Sequence, residues 1–267
     1  MSLVKVAIHG AGGRMGRRLV ALGSQDSNLT IAAAIENRAH PALGQDAGTL
    51  AGVAALGVAV VAEWPSSIDS AIDFSSPEGA SAALAHCLSS KIPLVLATTG
   101  LTTDQMAAID QAAKTIPICW APNMSLAVNL TMRLAEQAAK ALKNVPQGVD
   151  VEIIERHHRF KEDSPSGTAL KFGELIADQL GTDKHVHGRE GQVGQRTREE
   201  IGYHAVRTGD DPGQHTIIFG MLGETIELRV AASSRDCYAQ GALAAAKFLV
   251  GKPPGLYSMF DVLGLSE

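Results

Sequence analysis

Aromatic residues are scarce in this chain, 4% of its 267 positions, although 45% of the residues are hydrophobic. A core with so few rings must be filled by small aliphatic side chains, and the Ala-rich segments are expected to form closely packed helices. Cysteine is scarce too. Cys87, Cys119 and Cys237 are an odd number at long spacings, which fits neither a disulfide framework nor a zinc pattern. They read as reduced, buried thiols of a cytosolic protein. No long apolar run is present: the uncharged stretch 115–132 is interrupted by Pro117, Pro122, Asn123 and Asn129, whereas a membrane span needs roughly 20 predominantly apolar residues. The opening MSLVKVAIHG lacks the apolar core and small-residue cleavage site of a signal peptide, so a cytoplasmic location without membrane association is expected. Cations fall short of anions, 23 Lys and Arg against 28 Asp and Glu, a net charge of −5. This excludes nucleic-acid binding by broad phosphate neutralisation and leaves any anionic partner to a local patch.

What is present is enough for two domains. The first half alternates short apolar runs with helical patterns, which predicts a doubly wound, Rossmann-like parallel sheet in an α/β domain. Strands are expected at Leu3 to Ile8, Leu29 to Ile35, Ala71 to Phe74 and in PLVLATTG, with helices after GAGGRMG, after Ser76 and Pro77, and from Thr103 to Lys114. Thr102 and Gln105 have capping-box spacing. The stretch 41–62 gives no clear pattern. A long helix follows APNMS, with an apolar row at Leu126, Leu130, Leu134, Ala138 and Leu142 expected to face inward. From there the texture changes to a strand at Val151 to Glu155, a helix at Thr168 to Leu180, and half-polar strands at His204 to Val206, His215 to Phe219 and Thr225 to Ala231. That predicts a second α+β domain with a mostly antiparallel sheet. The expected division is 1–125 completed by 236–267 for the first domain and 126–235 for the second.

Between the first strand and helix lie Gly10, Gly12, Gly13 and Gly16. A tight turn of this kind leaves backbone N–H groups accessible and aims a helix N-terminus at a pyrophosphate. The third position of the usual fingerprint holds Met15, so the spacing departs from G-x-G-x-x-G, and Arg14 adds a cation within the loop. Glu36, at the end of the second strand, stands where a carboxylate accepts hydrogen bonds from the ribose of a dinucleotide. No Lys-Ser/Thr follows the glycines, so a nucleoside triphosphate is the poorer ligand.

The segment ERHHRFKEDSPSGTAL concentrates charge: five of the six residues from Arg156 to Lys161 are Arg, His or Lys. Ser164, Pro165, Ser166, Gly167 and Thr168 then lead into a helix whose free N–H groups and dipole favour a carboxylate. Cations on one side and a helix start on the other suit a small dicarboxylate. By residue type alone the segment fits a solvated loop and an ordinary helix cap equally well. Adjacent histidines on a strand point to opposite sides, which argues against a zinc pair. His185, His187, His204 and His215 have no comparable neighbours and read as structural or surface residues.

GAGGRMG, ATTG, APNMS, ERHHRFKEDSPSGTA and ASSRDCYAQGA, in this order from about Val4 onward, closely resemble the 4-hydroxy-tetrahydrodipicolinate reductase family, also called dihydrodipicolinate reductases, of the diaminopimelate route to lysine. The resemblance implies an oxidoreductase that uses NADH and/or NADPH to reduce (2S,4S)-4-hydroxy-2,3,4,5-tetrahydrodipicolinate to tetrahydrodipicolinate with loss of water. It places the family's dinucleotide loop on Gly10, Ala11, Gly12, Gly13, Arg14 and Met15 and its ribose acid on Glu36. The nicotinamide contacts fall on Ala97, Thr98 and Thr99 and on Ala121, Pro122, Asn123 and Met124. His157 falls on the proton donor/acceptor, Lys161 on the proton donor, and His158, Ser166, Gly167 and Thr168 on substrate-binding positions. It further implies a homotetramer built through the second domain's sheet.

Two positions depart from the family pattern. ATTG replaces a frequent GTTG, and Asn37 followed by Arg38 stands where some members carry Arg directly after the ribose acid, so NADH is expected to serve at least as well as NADPH. Two other readings remain open: another two-domain amino-acid-pathway dehydrogenase, acting on homoserine or aspartate semialdehyde, and a redox sensor that binds NAD(H) without turnover.

Overall fold

The structure is a computed structural model and describes residues 3–65 and 67–266. In chain order the elements are β1 (Val4–His9), α1 (Arg14–Gly23), β2 (Leu29–Ile35), α2 (Ala47–Leu50), β3 (Val60–Val61), β4 (Ser70–Asp73), α3 (Pro77–Ser90), β5 (Leu94–Leu96), α4 (Thr103–Ala112), β6 (Pro117–Trp120), α5 (Leu126–Leu142) and β7 (Asp150–His157). They continue with α6 (Gly167–Leu180), β8 (Lys184–His187), β9 (Glu200–Arg207), β10 (Gln214–Met221), β11 (Glu224–Ala231), α7 (Asp236–Leu249), β12 (Gly255–Tyr257) and α8 (Met259–Val262). The chain forms two compact units, one running to Leu126 and resuming at Asp236, the other Ala127–Arg235.

The first unit is built on a seven-stranded sheet in the order β12-β6-β5-β4-β1-β2-β3, with every pairing parallel. The middles of its central strands are apolar because helices cover both faces. One face carries Val6, Ile8, Ile72 and Val95 under α1 and α7, and the other carries Ala7, Ala71, Leu94 and Leu96 under α3 and α4. The small residues of α7, among them Ala239, Ala242, Ala245 and Ala246, are fully buried, so this helix lies close to its neighbours. The unpatterned stretch 41–62 is organised by one carboxylate. Asp46 caps α2 through Thr49 N (2.9 Å) and also accepts from the backbone of Leu56, Gly57 and Val58. Cys87 and Cys119 are buried as expected, and burial pushes both thiols up to about 12. Cys237 is only half-buried.

The second unit carries a five-stranded mixed sheet, β11-β10-β7-β9-β8. The expected antiparallel pairing holds for β10–β11 and β10–β7, while β7–β9 and β8–β9 are parallel. Parallel neighbours need a crossover: α6 lies in the one that leads from β7 to β9, and residues 188–199 make the one from β8 to β9. One face of this sheet, with Val151, Ile153, Ile201, Tyr203, Ile217 and Phe219, is buried, and α6 packs against β7 and β9.

The expected inward row of α5 is overturned. Val128, Asn129, Thr131, Met132, Ala135 and Ala139 are buried, whereas Leu130 and Leu134 are 41% and 48% exposed. At about 100° per residue, a strict i, i+4 row drifts by roughly 40° at each step and winds off any one face. The buried set mixes i+3 and i+4 steps and stays on one side.

Candidate active site

In the first unit the sheet order reverses between β1 and β4, and the loops beyond the strand ends at such a point form the ligand crevice of open α/β sheets. Gly10 follows β1 with φ +79°, and a Cβ there would lie 2.6 Å from Phe74 O, so the turn requires glycine. Gly13 caps α1 without any side-chain hydrogen bond, and the first N–H groups of α1 have no intrahelical partner. At Gly16 a Cβ would sit 2.1 Å from Gly10 O and 2.6 Å from Ala11 Cα, both backbone atoms. Glu36 is buried after β2, its Oε1 accepting from Gly12 N (2.8 Å) and its Oε2 from Asn37 N (3.2 Å). A glycine turn that any side chain would fill, an uncapped helix start and a carboxylate tied to the turn fit a dinucleotide. Ala11 is buried with the turn and Met15 half-buried, while Arg14, Asn37 and Arg38 are exposed.

Gly16→Ala forces the helix start away from the turn. It is expected to cost about 1–3 kcal/mol of stability and to weaken NADH binding, measured by thermal unfolding and fluorescence titration. Wild-type affinity in a folded variant would mean that the turn does not hold the dinucleotide.

The loops after β5 and β6 hold the other expected cofactor contacts. Ala97, Thr98, Ala121 and Met124 are buried, Thr99 and Pro122 exposed, and Asn123 Oδ1 accepts from Ser125 N (2.9 Å). Thr98 is pinned by a residue the sequence reading did not single out. Asp73, fully buried at the end of β4, accepts from Thr98 Oγ1 (2.5 Å) and Ser75 Oγ (2.6 Å) and lies 2.6 Å from His9 Nδ1. A polar residue closing an otherwise apolar strand was the available signal.

In the second unit the charged segment begins at the end of β7. His157 is 8% exposed and points to the α6 side of the sheet, the same side as Glu155 two residues earlier. Its Nδ1 lies 2.6 Å from Glu155 Oε2. Glu155, 1% exposed, also accepts from both terminal nitrogens of Arg207 (2.7 Å each) and from Ser166 N (3.0 Å). Burial pushes this carboxyl up, but His157, Arg207 and Ser166 outweigh it and hold it at about 2. His158 begins the following turn, half-buried, its backbone N–H on Asp211 O (2.8 Å) and its Nδ1 buried without a hydrogen-bond partner among the described residues. Lys161 pairs with Asp163 at 2.8 Å.

Ser166 caps α6, its Oγ accepting from Ala169 N (3.2 Å), while Gly167 is exposed with open space over its Cα and Thr168 is half-buried. The expected cluster of His157, Ser166 and a helix start is therefore brought together. His215, read as structural or surface, is buried against it, 3.1 Å from Ser166 Oγ and edge-on to the His157 ring at 5.3 Å. Burial, and then the His157 charge, push His215 down to about 4, so it stays neutral.

Family models for the N-terminus and the C-terminus of dihydrodipicolinate reductase match residues 4–124 and 127–263. The chain belongs to the dihydrodipicolinate reductase family. It is 60% identical to a 4-hydroxy-tetrahydrodipicolinate reductase of Rhodopirellula baltica, over 99% of this chain and 97% of that protein. It is 47% identical to the reductase of Pseudoalteromonas atlantica over 98% and 99%. The fold matches a dipicolinate-bound dihydrodipicolinate reductase from Paenisporosarcina sp. TG-14 with a TM-score of 0.77, at 24% identity and over 97% and 99% of the two chains. An aspartate semialdehyde dehydrogenase II from Vibrio cholerae, at 11% identity and TM-score 0.56, covers 93% of this chain and 99% of its own and shares the fold alone. The residues at these two places that the sequence reading did not single out are Glu155, Arg207, His215 and Asp73. Besides the polar strand end at Asp73, only Glu155 had a local signal, its i, i+2 spacing from His157 on a strand.

Proposed function

We propose that the protein reduces (2S,4S)-4-hydroxy-2,3,4,5-tetrahydrodipicolinate to tetrahydrodipicolinate, with loss of water, in the diaminopimelate route to lysine. The observation that carries this reading is 60% identity to a named reductase over 99% of the chain, joined to a strand end where His157, His158, Lys161 and the Ser166 cap lie close in sequence on one unit. The first unit would hold NADH or NADPH through Gly10 to Met15, Glu36, Ala97 to Thr99 and Ala121 to Met124, and the reduced nicotinamide supplies the hydride. The second unit binds substrate. His158 and Lys161 meet one carboxylate as cations, and Ser166, Gly167 and Thr168 meet the other at the N-terminus of α6. His157 exchanges a proton with the substrate and Lys161 supplies one, work for which histidine is the most common side chain.

The decisive assay supplies the condensation product of pyruvate and aspartate semialdehyde and follows NADH oxidation, with inhibition by pyridine-2,6-dicarboxylate as support. Tight NADH binding without oxidation would replace the enzyme by a sensor. NADH is expected to match or exceed NADPH in kcat/KM. Asn37 brings no charge, and Arg38 is spent on Glu63 at 3.1 Å, a pair so exposed (85% and 70%) that it yields readily to a phosphate. A hundredfold advantage for NADPH would overturn this.

We further propose a cytoplasmic homotetramer joined through the second unit's sheet. Ile154 and Val206 stand 39% and 42% exposed on the face opposite His157, which supports an apolar contact there. Light scattering that gives a monomer mass would reject it. Among the described residues no helix is long and apolar enough to cross a membrane.

A further inference from the structure

We propose that Glu155, clamped by Arg207, is a positioning residue that keeps a proton on His157 Nδ1 and so commits Nε2, the nitrogen beside Gly213, to proton exchange with substrate. This rests on His157 taking part in the reaction as proposed above. The strand register builds the arrangement. Side chains two apart on β7 share a face, which sets Glu155 beside His157, and the parallel pairing His157↔Arg207 and antiparallel pairing Glu155↔His215 bring the other two groups to the same face.

Each Glu155 oxygen then has two donors or ring nitrogens on it. Oε1 takes Ser166 N and one Arg207 nitrogen, and Oε2 takes the other Arg207 nitrogen and His157 Nδ1. An ionised carboxylate has lone pairs and no proton to give, so the 2.6 Å contact requires Nδ1 to be the donor. In the neutral ring Nε2 is then a bare acceptor, and in the cation it is the donor that remains free.

The opposite edge of the ring is kept open by a glycine. A Cβ on Gly213 would lie 2.9 Å from His157 Nε2 and 3.1 Å from Cδ2, and its φ of +139° is one that other residues rarely adopt. The remaining charged or titratable groups around the ring do not compete for Nδ1. His215 is neutral and bonded to Ser166, Asp211 is held by Arg156 (2.6 Å) and Gly213 N (2.9 Å), and Lys161 by Asp163. Because Ser166 N hangs on the same carboxylate, Glu155 also fixes the ring relative to the cap of α6, where a substrate carboxylate would bind.

Long-range 1H–15N correlation on histidine-labelled protein, with His157 assigned by its absence in His157→Gln, reads the tautomer directly. The neutral wild-type ring is expected to carry its proton on Nδ1, and a proton on Nε2 would overturn the proposal whatever the variants do. In Glu155→Gln the ring is expected to show both tautomers. With the negative charge beside the imidazolium removed, the alkaline limb of kcat should move down by about one pH unit or more. A limb that stays in place in a folded Glu155→Gln protein would also overturn it. If kcat instead survives His157→Gln while the wild-type proton sits on Nδ1, the catalytic reading of His157 fails and the tautomer assignment stands.

Discussion

His157→Gln should lower kcat about 100-fold, the loss typical of removing a general acid or base, with NADH affinity unchanged. Glutamine has nearly the reach of histidine and can still meet Glu155, so the buried carboxylate keeps a partner and the fold is preserved. What disappears is the imidazole that exchanges the proton, a role the glutamine amide cannot fill. The loops proposed to hold the cofactor belong to the other unit of the chain, so the NADH dissociation constant is an internal control. Stopped-flow or steady-state oxidation of NADH with the natural substrate measures the effect. A kcat within a factor of a few of wild type would remove His157 from the chemistry and leave Lys161 as the remaining proton source.

Arg207→Ala should produce the largest loss of stability, about 3 kcal/mol at neutral pH, at the lower end for breaking a buried ion pair. Its guanidinium forks onto both oxygens of Glu155 and also donates to Asp163 O (2.7 Å) and Val206 O (2.9 Å). The lower end applies because the arginine side chain is 20% exposed while Glu155 is not exposed at all.

The effect must depend on pH, and its sign follows from Glu155. A carboxyl lowered from 4.5 to about 2 on folding contributes stability that is complete above pH 4.5 and is lost as pH falls through about 2. In the variant that carboxyl takes up its proton at higher pH and no longer needs the arginine. The gap between wild type and variant should therefore be widest near pH 7 and narrower near pH 3, as read from urea midpoints. An equal gap at both pH values would mean that Arg207 acts through packing of its stem and not through Glu155.

Much of this protein is local and was legible. The Gly10 to Gly16 turn, the Thr102 capping box, the strand at Leu29–Ile35 and the Ser166 cap each depend on residues a few positions apart, and each folds as its own spacing demands. β8 and β12 were not legible. They are four and three residues long and sit at sheet edges, where neighbours supply the pairing that their sequence does not announce. The α5 leucines misled for a related reason: hydrophobic type marks what can be buried, and only the partner surface decides what is.

By itself the sequence determined the two layers of architecture, the glycine turn with its acid at Glu36, and the charged segment from Arg156 to Thr168 on which the proposed chemistry rests. Tertiary structure alone decided what surrounds His157. Arg207 lies 52 residues from Glu155 along the chain and His215 lies 49 from Ser166, and no spacing rule connects them. They meet because β9 and β10 take one register against β7, the register that buries Ile201, Tyr203, Ile217 and Phe219 beside Val151 and Ile153. A slip of one residue would turn each of these side chains to the other face. Burial of the apolar set thus fixes the position of the polar one.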